Sequence, residues 1–131
     1  MTKEFIDLGL STLWSNISED EFYTYNEAVS QFGSNLPTKE QWEELMDKCE
    51  WTWTGNGYKV VGPNGNSIVL PATGSCLCNG PVNNVGYFGF YWSSTPYGSG
   101  TAWDIHFNSD DVKVENNLRC FGYSVRLVCP N

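Results

Sequence analysis

Apolar side chains recur at helical spacing early in the chain. One such face carries Tyr25, Ala28, Val29 and Phe32. This is the i, i+3, i+4, i+7 spacing of an amphipathic helix. Thr24 and Glu27 form a capping box that would begin the helix, and Gly33 would end it. The pattern therefore predicts a helix over residues 24–32.

A second helical pattern begins just after Pro37. Thr38 and Gln41 form another capping box. The apolar face that follows consists of Trp42, Leu45, Met46 and Cys49. The acidic residues between these positions fall mostly on other faces, which is typical of a solvated helix surface. A second helix is therefore predicted to begin at residue 38.

After this helix the apolar positions alternate as they do in β-strands. Trp51 and Trp53 alternate with threonines, and the pair Asn56-Gly57 is a hairpin turn signal. Residues 72–86 are rich in Gly, Asn and Pro, which predicts a long loop. Short strands joined by turns are thus expected in the middle of the chain.

The last third of the chain continues as a series of strands. Trp103, Ile105 and Phe107 alternate with polar residues, as do Val112 and Val114. A final strand is predicted over residues 123–128. Two helices followed by these strands predict an α+β fold, with two helices packed on a twisted, mainly antiparallel sheet with long loops. A length of 131 residues predicts a single domain over residues 1–131.

Charge and composition exclude several classes of function. The net charge is -8, with only seven Lys and Arg, so the basic footprint of a nucleic-acid-binding protein is absent. No apolar run reaches the length of a membrane span, and no membrane insertion is expected. The opening residues, MTKEFIDLGL, lack the features of a signal peptide. The sequence does not choose between retention in the cell, display on a cell surface and packaging in a virion.

The cysteine pattern argues against a metal site. The cysteines are Cys49, Cys76, Cys78, Cys120 and Cys129. An odd number leaves at least one thiol free if the others pair, and the sequence does not determine the pairing. Cys76 and Cys78 form a lone C-x-C without a second pair, which does not support a four-ligand zinc site. No metal and no cofactor are expected.

Longer segments of the chain resemble a known family. The segments are FIDLGLSTLW, LPTKEQWEEL, CEWTWTGNGYKVVGPNGNSIVLPATG, GFYWSSTPY and CFGYSVRLV. They resemble a paralogous domain common in gut Bacteroidetes and related bacteria, which looks like a relative of the C-type-lectin fold. The resemblance covers nearly the whole chain and implies a C-type-lectin-like fold. The segment over residues 14–36 is shorter than is usual in that family.

The same resemblance implies a function in recognition. Some such domains are targets of diversity-generating retroelements in bacteria and their phages, which rewrite selected codons near the C-terminus. The resemblance therefore implies a variable, non-enzymatic binding region over about residues 97–123. Its partner would be a protein or glycan surface ligand.

Strand alternation points to the same region independently. If Trp103, Ile105 and Phe107 face the core, the polar residues between them face outward together. Outward strand residues are polar in most soluble sheets, so the alternation by itself favours an ordinary solvated face over a binding site. Exposed Tyr and Phe nearby would supply contact area to a partner. The candidate ligand-binding residues are Tyr97, Ser99, Thr101, Asp104, His106, Asn108, Lys113, Glu115, Leu118, Phe121 and Tyr123.

Three alternatives remain open at the level of sequence. Calcium-dependent sugar binding is disfavoured because the E-P-N or Q-P-D loop and the W-N-D strand motif are absent, although the turn at residues 109–111 offers oxygen ligands. Catalysis by a dyad of Cys120 and His106 is conceivable, but a lone histidine beside an aspartate is far more often incidental, and no enzyme is expected. The remaining alternative is a structural or adhesion domain of a surface or pilus assembly, without diversification.

Overall fold

The computed structural model describes residues 2–19 and 21–131. Its helices are α1 (Tyr25–Phe32) and α2 (Lys39–Lys48), with a short 3-10 turn (Gly33–Asn35) between them. Its strands, in chain order, are β1 (Phe5–Ile6), β2 (Thr12–Ser15), β3 (Glu50–Trp53), β4 (Gly57–Val61), β5 (Ser67–Pro71), β6 (Ser75–Cys76), β7 (Val82–Asn83), β8 (Gly89–Tyr97), β9 (Thr101–Phe107), β10 (Val112–Leu118) and β11 (Val128–Pro130).

Both predicted helices are confirmed, together with their capping boxes. At α1 the Thr24 hydroxyl accepts from the Glu27 backbone N–H at 3.3 Å, and the Glu27 carboxylate accepts from the Thr24 N–H at 2.9 Å. Gly33 follows with a φ of 52°, a conformation that favours glycine. At α2, Thr38 and Gln41 make the same reciprocal bonds. Local side-chain bonds thus define where each helix begins.

The expected α+β, C-type-lectin-like fold class is wrong. Of residues 2–19 and 21–131, 43% are strand and 16% helix, and the strands described there form four small antiparallel sheets. Three sheets have three strands each, in the orders β1-β2-β11, β3-β4-β5 and β10-β9-β8, and β6 pairs with β7. The architecture is β-rich and sandwich-like. The single extended sheet does not form because most strands pair only with their neighbours in the chain, through tight turns.

The predicted final strand is also misplaced. Only β11, at residues 128–130, forms a regular ladder there, and it pairs with β2. The preceding residues make isolated bridges, such as Tyr123 to Tyr23 and Ser124 to Tyr91. This segment therefore touches the free edge of β8 through single bridges, with backbone bonds from Ser124 N to Phe90 O and from Trp92 N to Ser124 O, and does not form a regular strand there.

Two groups of buried side chains form the core. In the first, Trp42 on α2 packs against Trp14 at 4.8 Å and Tyr91 at 5.8 Å between ring centroids. In the second, Trp92 lies between Tyr25 of α1 and the chain near Tyr123. The indole N–H of Trp42 donates to the Trp92 carbonyl at 3.2 Å, which joins the two groups. The single domain over residues 1–131 stays a prediction.

The cysteines, whose pairing the sequence left open, divide into one disulfide and three thiols. Cys78 is bonded to Cys120, 42 residues further along the chain. Cys49, Cys76 and Cys129 are free and half-buried. Burial, together with the nearby charge of Glu44, raises the pKa of the Cys49 thiol from 9.0 to about 11.

This pKa predicts slow chemistry at Cys49. The thiolate is the reactive form, and a pKa of about 11 in place of 9.0 reduces its fraction at pH 8 roughly a hundredfold. We expect iodoacetamide to modify Cys49 in the folded protein with a rate that still rises steeply above pH 10, where a thiol with a pKa of about 11 is mostly protonated. Peptide mapping by mass spectrometry across pH 7–10.5 measures this rate, with urea-unfolded protein as the control. A rate that levels off by pH 10 in the folded protein, as expected for a thiol with a pKa of 9.0, would contradict the prediction.

Candidate ligand-binding face

The register of the β8–β10 sheet gives its two faces different chemistry. Ile105 pairs with Val114 and Phe107 with Val112, and Ile105 and Phe107 are buried in the core as predicted. On the opposite face His106 pairs with Lys113, while Asp104 pairs with Glu115. Side chains of paired residues share a face. The polar residues of β9 and β10 therefore come together on the face away from α2.

Three of these side chains form a continuous charged chain. His106 Nδ1 lies 2.9 Å from Asp104 Oδ1, and His106 Nε2 lies 2.9 Å from Glu115 Oε1. The Asn117 amide donates to the other oxygen of Asp104 at 2.7 Å. Asp104 is 0% exposed, whereas the side chain of Glu115 is 55% exposed. The chain thus runs from a buried carboxylate, through the imidazole, to a carboxylate in solvent.

The surroundings of His106 favour its charged form. Burial alone would lower the pKa of His106, but the hydrogen bond and charge of Asp104, with the charge of Glu115, outweigh burial and raise this pKa above the usual 6.5. Burial likewise raises the pKa of Asp104, although the hydrogen bonds from His106 and Asn117 oppose the change. An imidazolium can donate from both ring nitrogens, and here each faces a carboxylate.

Four aromatic rings form a row beside this charged chain, which we call the aromatic strip: Phe88, Phe90, Tyr123 and Phe121. Successive centroids are 6.2, 4.9 and 5.9 Å apart, and the ring planes are within 21° of parallel. The ring of His106 lies 5.3 Å from that of Phe90. The three phenylalanines are half-buried, so the strip offers apolar area next to hydrogen-bonding groups.

A small cavity lies where the strip and the charged chain meet. Its volume is about 170 Å³. The lining includes Phe88, His106, Asn108 and Lys113. An apolar ring, an imidazole, an amide and an ammonium group thus surround one opening, which suits a polar group with an apolar side.

A second group of candidate residues lies at the far end of the β8–β9 hairpin. The exposed ring of Tyr97 packs edge-on against Trp103 at 5.4 Å, and Lys39 Nζ lies 4.5 Å from the centre of the Trp103 ring. Thr101 pairs with both Tyr97 and Leu118. The face of Trp103, not that of His106, therefore carries Tyr97, Thr101 and Leu118, because Thr101 is two residues from Trp103 and residues that pair across strands share a face.

The predicted site is therefore divided, and some of its members are buried. Asp104 at 0% and Tyr123 at 2% exposure do not face solvent as expected. Trp103, expected in the core, is half-buried. The remaining candidates form two sets on the surface. Around the charged chain these are His106, Asn108, Lys113, Glu115 and Phe121, and at the hairpin end they are Tyr97, Ser99, Thr101 and Leu118.

Sequence reasoning missed Phe88, Phe90 and Asn117. Phe90 pairs directly with His106 across β8 and β9, so the register of that hairpin would have placed them together. The Asn117 side chain on β10 donates a hydrogen bond to Asp104 on the neighbouring strand β9. The signal was the alternation within β8 and β10, which could be interpreted only once the pairing of the strands was known.

Two further findings bear on the site. Within residues 2–19 and 21–131, no group of three or more His, Cys, Asp and Glu side chains is arranged to hold a metal ion. In the same part of the chain, no helix combines the length and the apolar character needed to cross a membrane.

Comparison with known proteins places the chain in a family. The model of a family described as a domain of unknown function, DUF8237, matches residues 13–128, and the chain belongs to that family. The match includes both helices and all strands from β3 to β10. No curated protein and no solved structure gave a significant match.

The raised pKa of His106 predicts a pH dependence of stability. A histidine whose pKa is higher in the folded state stabilises the protein fully below the unfolded value of 6.5, and this contribution is lost as pH rises through the folded pKa. We expect the free energy of unfolding to fall as pH rises from about 6.5. Urea titrations of the wild type and of His106→Gln at half-unit steps from pH 5.5 to 8.5 measure it. If both proteins lose stability equally over this range, the charged chain does not act as described.

Proposed function

We propose that this protein is a non-enzymatic recognition protein that binds a protein or glycan surface ligand. The ligand is contacted by the polar side chains of β9 and β10 on the face away from α2, and by the aromatic strip. The observation that carries the proposal is the row of nearly parallel rings, three of them half-buried phenylalanines, directly beside the Asp104–His106–Glu115 chain. Rigid aromatic area with adjacent charged donors and acceptors is the composition of protein binding sites.

Two buried, fixed side chains adjoin the exposed candidate residues, and this favours ligand binding over a merely solvated surface. Asp104 is held by both His106 and Asn117, and the buried ring of Tyr123 is stacked between those of Phe90 and Phe121. Side chains fixed in this way lose little conformational entropy when a partner binds. The two buried residues would then support the face, while Lys113, Glu115 and Phe121 contact the partner.

The more specific proposal is that the region over residues 97–123 is diversified by a retroelement of a phage or a gut bacterium. The strand geometry supports a scaffold that tolerates change. Candidates such as Ser99, Lys113 and Leu118 project from strands or turns without filling the core. Core positions of the same strands, such as Ile105 and Phe107, are filled by buried side chains.

Sequencing the encoding locus from several related isolates tests this proposal without knowledge of the ligand. We expect substitutions to concentrate at the surface members of the two sets, while Asp104, Ile105, Phe107 and Tyr123 stay constant. The constancy of Asp104 and Tyr123 is a stringent test of the proposal, because both are buried although they lie within the region proposed to vary. Substitutions spread evenly over all exposed positions of the chain would contradict diversification.

Binding is tested by a matched pair of double variants. The labelled protein is applied to a printed array of bacterial and host glycans and to immobilised bacterial surface proteins. Glu115→Ala with Phe121→Ala should reduce binding at least tenfold, since exposed hot-spot contacts each contribute about 1–2 kcal/mol. The control, Glu40→Ala with Phe5→Ala, lies outside the face and should bind as the wild type does. Equal binding by both double variants would exclude this face.

A structural or adhesion role is the second candidate, and a different surface favours it. Leu77, Val82, Val85 and Tyr87 are exposed apolar side chains of the segment between β6 and β8. An apolar group of this kind is typical of a contact with another chain. Sedimentation velocity at increasing protein concentration distinguishes the two, because an assembly domain associates and an isolated recognition domain stays monomeric.

A further inference from the structure

A buried arginine, Arg126, lies outside the recognition face, by which we mean the Asp104–His106–Glu115 chain, the aromatic strip, and the neighbouring Asn108 and Lys113. Arg126 is 1% exposed. Its Nη1 donates to the Ser15 carbonyl at 2.9 Å, and its Nη2 donates to the Val69 carbonyl at 2.5 Å. The Ser18 hydroxyl accepts from Nε at 3.3 Å and from Nη2 at 3.0 Å. Every one of these acceptors is uncharged.

The positive charge of Arg126 has no ion-pair partner among the residues the structure describes. The Tyr91 hydroxyl, whose pKa is raised by burial, also hydrogen-bonds Arg126. Glu19 attracts Arg126 from a distance, but the Glu19 carboxylate is itself paired with Lys3 Nζ at 2.7 Å. Guanidinium groups stay protonated in proteins, and a buried charge without a counter-charge is unfavourable. An anion that reached Arg126 would therefore gain more than it would at the protein surface.

A groove leads to this arginine. Its volume is about 510 Å³, and Arg126 contributes to its lining. The apolar walls include Ile6 of β1, Ile17, and Val69 and Pro71 of β5. β5 is an edge strand of its sheet, so the groove is open on that side. Grooves of this volume with apolar walls and a few polar groups are typical of small-molecule sites.

The Ser18 hydroxyl marks the place where a carboxylate would bind. One edge of a guanidinium presents two parallel N–H groups that match the two oxygens of a carboxylate. At Arg126 the single oxygen of Ser18 accepts from both Nε and Nη2, so it occupies that edge with one neutral atom. Ser18 lies in the groove lining and outside the regular strands.

We propose that this groove is a second binding site, for a small carboxylate with an apolar tail. The carboxylate pairs with the Nε and Nη2 edge of Arg126 in place of the Ser18 hydroxyl. The tail lies among Ile6, Ile17 and Val69. No residue of the groove belongs to the recognition face, so this site and the proposed function can fail independently.

A purely structural role of Arg126 makes a different prediction. Its bonds to Ser15, Ser18 and Val69 tie the end of β2, the following segment and β5 together. If Arg126 serves only to hold these segments together, the groove should bind charged and uncharged ligands of the same shape equally well. Charge preference therefore separates the two roles, and it can be measured without altering Arg126.

Isothermal titration calorimetry with octanoate, and with octanamide as the uncharged analogue, tests the site. Octanoate should bind at a ratio of one to one, and octanamide about tenfold to a hundredfold more weakly, as expected for loss of a charge-assisted pair. Equal affinities, or no binding of octanoate up to 10 mM, would overturn the proposal.

A matched pair of variants locates the binding. Val69→Glu places a carboxylate at the groove, where it repels octanoate or pairs with Arg126 itself, and should abolish binding. Val82→Glu is the control, because Val82 is also an edge valine with nearly the same exposure, 46% against 47%, but does not line the groove. Thermal unfolding of both variants establishes that they fold. If folded Val69→Glu still binds octanoate as the wild type does, the groove is not the site.

Discussion

Replacing Trp92 by alanine is expected to lower the free energy of unfolding by about 4 kcal/mol, within the range of roughly 3–5 kcal/mol for buried tryptophan. Trp92 is 0% exposed. Its ring lies 4.3 Å from that of Tyr123 and 5.6 Å from that of Tyr25. Its indole N–H donates to the Tyr23 carbonyl at 2.8 Å. The variant would thus lose ring contacts to α1 and to the 121–125 segment, together with one buried hydrogen bond.

Urea denaturation followed by circular dichroism measures this loss. Trp103→Ala is the matched control, because Trp103 is a tryptophan of the neighbouring strand that is only half-buried. We expect its cost to be at most about 2 kcal/mol, since less apolar area leaves solvent on folding. The aromatic strip rests on Tyr123, which packs on Trp92, so Trp92→Ala should also weaken ligand binding. Equal costs for the two variants would contradict the placement of Trp92 in the core.

The helices could be predicted from the sequence because their determinants are local. Thr24 with Glu27 and Thr38 with Gln41 satisfy each other across a single turn. Nothing distant is needed to define those ends, and the apolar spacing that follows selects the buried face. The predicted bounds of α1 and the predicted start of α2 therefore agree with the observed helices to within one residue.

The sheets could not be predicted in the same way, because their pairing joins distant residues. β11 pairs with β2 across most of the chain, and no local pattern reveals this partner. The β3–β5 and β8–β10 hairpins were predictable as strands, but a strand pattern does not state to which sheet a strand belongs. The fold class depended on that grouping, and this is where the prediction was wrong.

The candidate site shows the same limit at the level of single residues. Alternation correctly placed Ile105 and Phe107 in the core, and it correctly set Asp104 on the opposite face. It could not show that the ring of Tyr123 packs on Phe90 and Trp92 of that face, or that Asp104 is buried there. The hydrogen bond and the charge of this carboxylate, together with the charge of Glu115, outweigh the effect of burial on His106 and raise its pKa. The most informative feature of the site therefore came from a contact with no sequence signature.

Removing the disulfide by changing Cys78 and Cys120 to alanine is expected to lower the free energy of unfolding by about 4 kcal/mol. The bond closes a loop with a sequence separation of 42 residues, and the entropy that such a loop removes from the unfolded chain corresponds to about 4 kcal/mol. The bond also joins the segment after β6 to the turn that leads into the aromatic strip. Its loss should therefore loosen Phe121 and weaken binding at the recognition face.

Chemical denaturation under oxidising and reducing conditions separates the bond from the substitutions. Dithiothreitol should lower the stability of the wild type by a similar amount and leave the double variant unchanged. Cys76→Ala is the control, since Cys76 is half-buried, lies two residues from Cys78 and is free. Truncating this small side chain should cost about 1 kcal/mol. If dithiothreitol destabilises the double variant as much as the wild type, the Cys78–Cys120 bond is not the source of the effect.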